Sequence, residues 1–191
     1  MFRYLVSITF VLVVIAAAAA YFFPEYWIHR YDELISRQAR VYRLDEKLVW
    51  SVIYEETYFR AWKLGADEEV GLMQVTPIVA REWAKETGFR EFEQQAAENV
   101  NEFLADPERN IQTGCWYLEK LREQYRGRPA ETAMTLAAYN AGPSRVEEWT
   151  KDVDTVSLSE ADFVELIGIA STKNYVKSIL TRYRAEQAKN R

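Results

Sequence analysis

Apolar positions fall into two regimes along the chain. Residues 1–23 hold three side chains outside the apolar set, Arg3, Ser7 and Thr9, and residues 4–23 are 20 positions without a charge. As a helix rising 1.5 Å per residue, that run is ~30 Å long, the thickness of a bilayer's hydrocarbon core. Tyr21, Tyr26 and Trp27 stand at its downstream end, where amphipathic rings favour the membrane interface. Arg3, on the upstream side, places the N-terminus in the cytoplasm by the positive-inside rule. The segment 1–24 is either a retained transmembrane signal anchor or a secretory signal cut within 16–20. Its continuation through Tyr21, Phe22 and Phe23 without a polar break is longer than an ordinary signal core and favours the anchor. Either way the body, 25–191, is exported.

In the body the apolar period changes to three and four. Tyr31, Leu34, Ile35, Ala39 and Tyr42 predict a helix over 28–43. Asp45 is placed to cap a second helix carrying Leu48, Val49, Val52, Ile53 and Phe59. Residues 60–75 read as irregular, punctuated by Gly65 and Gly71. Thr76-Pro77 opens a third helix that Gly88 ends, and Asp106-Pro107 repeats the device for a long helix with Ile111, Cys115, Leu118 and Leu121 on one face. Residues 130–141 form another helix that stops at Gly142-Pro143. Ser144 and Glu147 suggest a capping box for a short one. The last helix starts near Ser171, carries Tyr175, Ile179, Leu180 and Tyr183, and dissolves into a solvated tail over 186–191. No strand pattern of useful length interrupts these, so the class is all-α, with one core.

Charge and rare residues narrow the chemistry. The chain has 24 Lys+Arg against 29 Asp+Glu, and all but Arg3 lie in the body. An acidic body lacks the basic stripe of a nucleic-acid binder. The single cysteine, Cys115, cannot form an intrachain disulfide, and the single histidine, His29, cannot by itself anchor a His-based zinc site. No metal or cofactor is expected. Nucleophilic dyads that need histidine are disfavoured, which leaves carboxylates, tyrosines and amides.

Val49, Val52, Ile53 and Glu56 are spaced i, i+3, i+4, i+7, so Glu56 continues an apolar stripe. A carboxyl drawn out of water keeps its proton to higher pH and can act as a proton donor. Periodicity alone does not separate it from Glu55, because Leu48, Val52, Glu55 and Phe59 are equally regular. Downstream, Gly71-Leu72-Met73-Gln74 precedes a capped helix, and Ala138-Tyr139-Asn140-Ala141-Gly142 ends one. Phenols and amides supply flat faces with donors and acceptors, the needs of a sugar-binding groove.

Taken in order, these motifs resemble the transglycosylase SLT family, the lysozyme-like lytic transglycosylases of bacterial walls. Glu56-Thr57-x-Phe59 is similar to the family's Glu-Ser-x-Phe, with Thr for Ser. Gly71-Leu72-Met73-Gln74 follows 15 residues after Glu56, the family's spacing, and selects Glu56 over Glu55. Asp106-Pro107 with Asn110-Ile111, Gly114 and Tyr117-Leu118 is a structural signature. Ala138-Tyr139-Asn140-Ala141-Gly142-Pro143, with Val146 and Trp149, is the fourth motif, and Thr172-Lys173-Asn174-Tyr175-Val176 the fifth. The resemblance covers about 42–183. It implies a lysozyme-like fold and cleavage of the β-1,4 bond between N-acetylmuramic acid and N-acetylglucosamine in peptidoglycan. Glu56 would be the one acid/base, first protonating the leaving oxygen, then accepting the proton of the muramoyl C6 hydroxyl as a 1,6-anhydro ring closes. Tyr175 would orient the acid. Gln74, Tyr139 and Asn140 would line the groove, with Met73 beneath a sugar or in the core, and Leu72 in the core.

Family members commonly carry a Ser and then Gly-Ala ahead of the Gly-Leu-Met-Gln motif; here those positions are Gly65, Glu68 and Glu69. With Asp67 they form an acidic cluster near the groove. Either it is a solvated loop, or Glu69 activates water and the enzyme is a lysozyme-type hydrolase. Two further alternatives are a non-catalytic glycan-binding scaffold, which has no need of Glu56, and a helical membrane adaptor. Expected partners are glycan strands and, through the anchor, a membrane; protein partners are not specified. The anchor would place the body in the periplasm on a single-pass inner-membrane helix, within about one domain's diameter of the bilayer.

Overall fold

The computed structural model describes residues 2–66, 68–90, 92 and 99–189, with side chains from Thr9 onward. Its helices are α1 (Phe2–His29), α2 (Asp32–Val41), α3 (Glu46–Thr57), α4 (Pro77–Thr87), α5 (Val100–Ala105), α6 (Pro107–Tyr125), α7 (Glu131–Ala141), α8 (Pro143–Thr150), α9 (Glu160–Leu166) and α10 (Ala170–Ala188). Among the described residues there is no strand. Isolated antiparallel bridges pair Leu64 with Val70 and Val70 with Val75.

Helix ends follow their caps. The Asp45 carboxylate accepts from Lys47 N at 2.8 Å, and Asp106 from Arg109 N at 3.0 Å ahead of Pro107. Thr76 caps α4 through Val79 N, and Gly88, in the left-handed region, ends it. Three expectations change. α8 begins at Pro143 and Ser144 makes no capping bond, because proline's preset φ and missing N–H start the helix two residues earlier, with Gly142 at the cap. α3 stops at Thr57. Tyr58 and Phe59 turn left-handed (φ 51 and 61), and the turn folds the Phe59 ring back into the core. The C-terminal tail is helical as far as Ala188, because Lys47 Nζ donates to the Glu186 carbonyl at 2.8 Å and a cation satisfies the helix end. Asn190 and Arg191 lie outside the described residues. α5 and α9 have 6 and 7 residues, too few turns to leave a period in the sequence.

α6 packs against α2, α4, α5 and α7, while α7 also meets α8, α9 and α10, and α3 lies between α2 and α10. The core holds Val49, Val52, Ile53, Leu72, Met73, Ile111, Cys115, Leu118 and Leu136, all with no exposed surface. α1 differs: it is exposed from Thr9 to Tyr26 and contains a window of mean hydropathy 1.7, long and apolar enough to cross a membrane. Its far end is docked on the body. Trp27 Nε1 donates to Tyr58 O at 2.9 Å, Trp50 Nε1 to Ile28 O at 3.1 Å, and the Arg30 guanidinium to Phe59 O.

Gly114 in α6 makes room for Met73, whose sulfur would lie 2.5 Å from a Cβ at that position. Helix propensity favours alanine over glycine by ~1 kcal/mol, whereas overpacking costs ~1–3 kcal/mol. Gly114→Ala is therefore expected to lower stability by about 1 kcal/mol, read as a fall in the thermal midpoint. A rise would show that Met73 repacks freely.

Candidate active site

Glu56 follows Val49, Val52 and Ile53 on the buried stripe of α3, with its carboxyl part-buried at the helix end. Tyr175 on α10 donates its hydroxyl to Glu56 Oε1 at 2.7 Å. Glu55, the residue before Glu56, meets α10 further along. Its carboxylate accepts from Ser178 Oγ at 2.5 Å and from Arg182 at 3.4 Å, and the Arg182 guanidinium lies 3.7 Å from the Tyr54 ring centre. The two neighbouring acids thus diverge: Glu55 is ion-paired, and Glu56 is desolvated. Burial lifts the Glu56 pKa from the ordinary 4.5 to about 7; the Tyr175 hydrogen bond lowers it, the Glu69 charge raises it, and Lys63 lowers it. Desolvation is the largest cause, so the carboxyl is poised to give a proton near neutrality and take one back.

The segment facing Glu56 has little regular structure and is held by side chains. Asn110, fully buried in α6, accepts from Met73 N at 2.8 Å and donates to Val70 O at 2.7 Å and Leu104 O at 2.8 Å. Gly71 (φ +77) passes so close that a Cβ there would lie 2.4 Å from Asn110 Nδ2. The Thr57 hydroxyl, one residue after the acid, bonds Leu72 O at 3.0 Å and ties this segment to the last turn of α3. Lys63 Nζ donates to the Glu56 carbonyl, and Lys63 O accepts from Gly71 N at 2.9 Å.

The expected groove residues take unequal places. Gln74 (φ +48) donates its amide to Lys63 O at 3.2 Å and Gly71 O at 3.0 Å, closing the loop from within. The Met73 side chain is in the core against Gly114, and its carbonyl accepts from Tyr139 OH at 2.8 Å. Leu72 is in the core as expected. Asn140 is exposed and accepts from Thr172 Oγ1 at 2.7 Å, joining the end of α7 to the start of α10. Burial and the nearby Glu56 charge hold the Tyr139 and Tyr175 phenols well above the usual 10. The sequence carried Asn110 and Thr172 only as members of motifs, without roles. Lys63 left no signal there.

The acidic cluster divides. Glu68 is exposed, Asp67 lies outside the described residues, and Glu69 is part-buried. Gly65 N donates to Glu69 O at 2.7 Å, and a Cβ on Gly65 would lie 2.1 Å from Glu69 Oε2 and 2.9 Å from Gln74 Oε1. The Glu69 carboxylate therefore fills the space in which a side chain at 65 would begin, so glycine at 65 and an inward Glu69 belong together. Among the described residues no three His, Cys, Asp or Glu side chains group as a metal site. A cavity of about 460 Å³ lies elsewhere, lined by His29, Asp32, Lys47 and Trp50, and includes none of these residues.

A family model, the transglycosylase SLT domain, matches residues 33–160. That range ends before Tyr175, which only the fold brings to Glu56. The soluble lytic murein transglycosylase of Salmonella typhimurium is 29% identical over 157 residues, 78% of this chain and 22% of that protein. Membrane-bound lytic murein transglycosylase C of Edwardsiella ictaluri is 29% identical over 124 residues, 62% of this chain and 33% of that protein. Among solved structures, lytic transglycosylase Slt of Pseudomonas aeruginosa, an inactive Glu-to-Gln mutant, superposes with TM-score 0.71 at 25% identity, over 82% of this chain and 24% of that one. The chain spans about a fifth to a third of the length of these relatives. The lysozyme-like all-α fold is common to them.

Because the folded protein holds a proton on Glu56 between pH 4.5 and about 7 that the unfolded chain releases, this group's contribution to stability falls as pH rises through that window. Glu56→Gln is expected to stabilise the protein by about 1–3 kcal/mol at pH 8 and by almost nothing at pH 4. Denaturation at the two pH values measures it; an equal effect at both would show that the carboxyl is not desolvated.

Proposed function

The chain belongs to the transglycosylase SLT domain family, and we propose that it is a lytic transglycosylase that cleaves the β-1,4 bond between N-acetylmuramic acid and N-acetylglucosamine in peptidoglycan. The observation that carries this is the Glu56 carboxyl, lifted to about 7 by burial and bonded to Tyr175. One group with a pKa near the working pH serves both half-reactions. Protonated Glu56 gives its proton to the glycosidic oxygen as the bond to C1 breaks. The resulting carboxylate takes the proton of the muramoyl C6 hydroxyl, whose oxygen bonds to C1 and closes the 1,6-anhydro ring. No water is consumed, and Glu56 ends protonated as it began. Tyr175 holds one carboxyl oxygen and so aims the other.

Residues 25–191 form the catalytic domain on this reading. Asn140 presents its exposed amide to acetamido or hydroxyl groups of the glycan. Gln74 and Tyr139 shape the wall, and Met73 supports it through its backbone. α1 is a retained anchor that crosses the inner membrane once and leaves the domain in the periplasm. Its length, its exposure and the membrane-bound relative support this.

One observation favours a second reading. The inward Glu69, admitted by Gly65, is a second carboxylate whose charge acts on Glu56. It could take a proton from water while the hydroxide bonds to C1, giving hydrolysis.

Mass spectrometry of purified sacculi after digestion tests both. Anhydromuramoyl ends, one water lighter than reducing ends, are expected from the wild type, and neither product from Glu56→Gln. Tyr175→Phe is expected to lower kcat by about 10–100-fold with little change in KM. Reducing ends that disappear in Glu69→Ala would replace the transglycosylase reading with the hydrolytic one. Wild-type binding without products would favour a scaffold.

A further inference from the structure

We propose that the turn after the catalytic helix, residues 58–64, is a second membrane contact: Trp62 and Leu64 seat in the lipid headgroup layer beside the end of α1. This rests on the reading of α1 as a membrane anchor.

Three observations converge on it. First, α1 has no flexible linker to the body. Only Arg30 and Tyr31 separate it from α2, and the hydrogen bonds of Trp27, Trp50 and Arg30 bind its end to Tyr58, Phe59 and α3. The pose of the body relative to the membrane is therefore set by α1. Second, depth follows from length. If residues 4–23 fill the hydrocarbon, Trp27 lies four residues, or ~6 Å, beyond it, within a headgroup layer ~5–7 Å thick. The Trp62 ring meets the Trp27 ring edge-on with centroids 5.7 Å apart, so both occupy that layer. Third, the turn exposes what an interface takes up. Trp62 is 64% exposed and Leu64 67%, next to Phe23 and Tyr26 at 57% and 66% on α1. Indole rings favour the headgroup level, and small apolar insertions reach the acyl boundary. Arg60 in the same turn is exposed, with its Nε donating to Thr57 O at 2.8 Å, and the exposed Glu68 follows four residues after Leu64, so apolar and aromatic insertion rather than charge carries the contact. The occupant is thus the headgroup layer of the bilayer that α1 crosses.

The contact bears on catalysis through Lys63. It stands between the two inserted side chains, donates to the Glu56 carbonyl and accepts from Gly71 N. The bilayer would hold the turn that closes the acid's own helix.

Nitroxide depth measurements on the full chain test this. Labels go on Val13→Cys in α1, Leu64→Cys at the end of the turn, Ala66→Cys two residues beyond it, and Val156→Cys on an exposed loop before α9. Cys115 is fully buried and stays unlabelled. The protein is reconstituted in vesicles of phosphatidylethanolamine and phosphatidylglycerol, and collision rates with oxygen and with a water-soluble nickel chelate are read. Position 13 should be deep in lipid. Positions 64 and 66 should collide with nickel several-fold less than position 156, and Trp62→Ser should return position 66 to the value at 156. Lipid at 13 with water at both 64 and 66 overturns the docking and leaves the anchor. Water at 13 overturns both. Protection at 64 that is already present in detergent with spin–spin broadening, or that arises only when glycan oligomers are added, overturns the proposal in favour of a second copy or a sugar platform.

Discussion

A carboxyl taken out of water keeps its proton, and the elements around Glu56 maintain that condition without supplying a full counter-charge. The last turn of α3 places it beyond three residues with no exposed surface. Lys63, whose charge lowers the Glu56 pKa, bonds the backbone carbonyl of the acid rather than its carboxylate. The Arg182 charge goes to Glu55 instead. What reaches the carboxyl is a neutral phenol, which orients it and lowers its pKa less than burial raises it. An arginine in the place of Tyr175 would leave a permanent carboxylate, unable to donate.

Holding that geometry falls to buried amides and hydroxyls, because the segment opposite the acid has neither helix nor strand to satisfy its backbone. Asn110 alone takes three backbone partners, and Thr57, Gln74 and Tyr139 take others. Each such group, if left unpaired, would cost about 1–3 kcal/mol. Close packing beneath depends on two missing Cβ atoms, at Gly71 over Asn110 and at Gly114 over Met73. A third, at Gly65, admits Glu69 and gives this site a carboxylate that a side chain at 65 would displace. Two of the three departures from the family pattern, Gly65 and Glu69, are therefore coupled.

α1 extends the same rigidity outward. Its end is hydrogen-bonded to the turn that follows α3, so the apolar helix and the helix that carries Glu56 meet through Tyr58 and Phe59. The aromatic residues gathered there come from segments 31 to 35 positions apart in sequence, Trp27 with Tyr58 and Trp62. The aromatic residues at the end of the apolar run are thus joined by others from the turn after α3.

Local rules made much of this molecule legible in advance. Caps at Asp45, Thr76 and Asp106, the period of the apolar positions and the uncharged run over 4–23 rest on backbone chemistry within a few residues of each other, and they predict the helices and the anchor candidate; the choice of Glu56 as candidate acid comes from the spacing to Gly71 that the family resemblance supplies. Tertiary contacts decided the rest. Periodicity could not separate Glu55 from Glu56, because the difference lies in what α10 brings, Arg182 to one and Tyr175 to the other, 127 and 119 residues away. Likewise, Gln74 reads as a groove residue by type and Met73 as groove or core; the Gln74 amide bonds the loop's own carbonyls, and Met73 is in the core. A side chain's type sets what it can bond, but only the packed neighbours determine whether water, a backbone carbonyl or another side chain is there to be bonded.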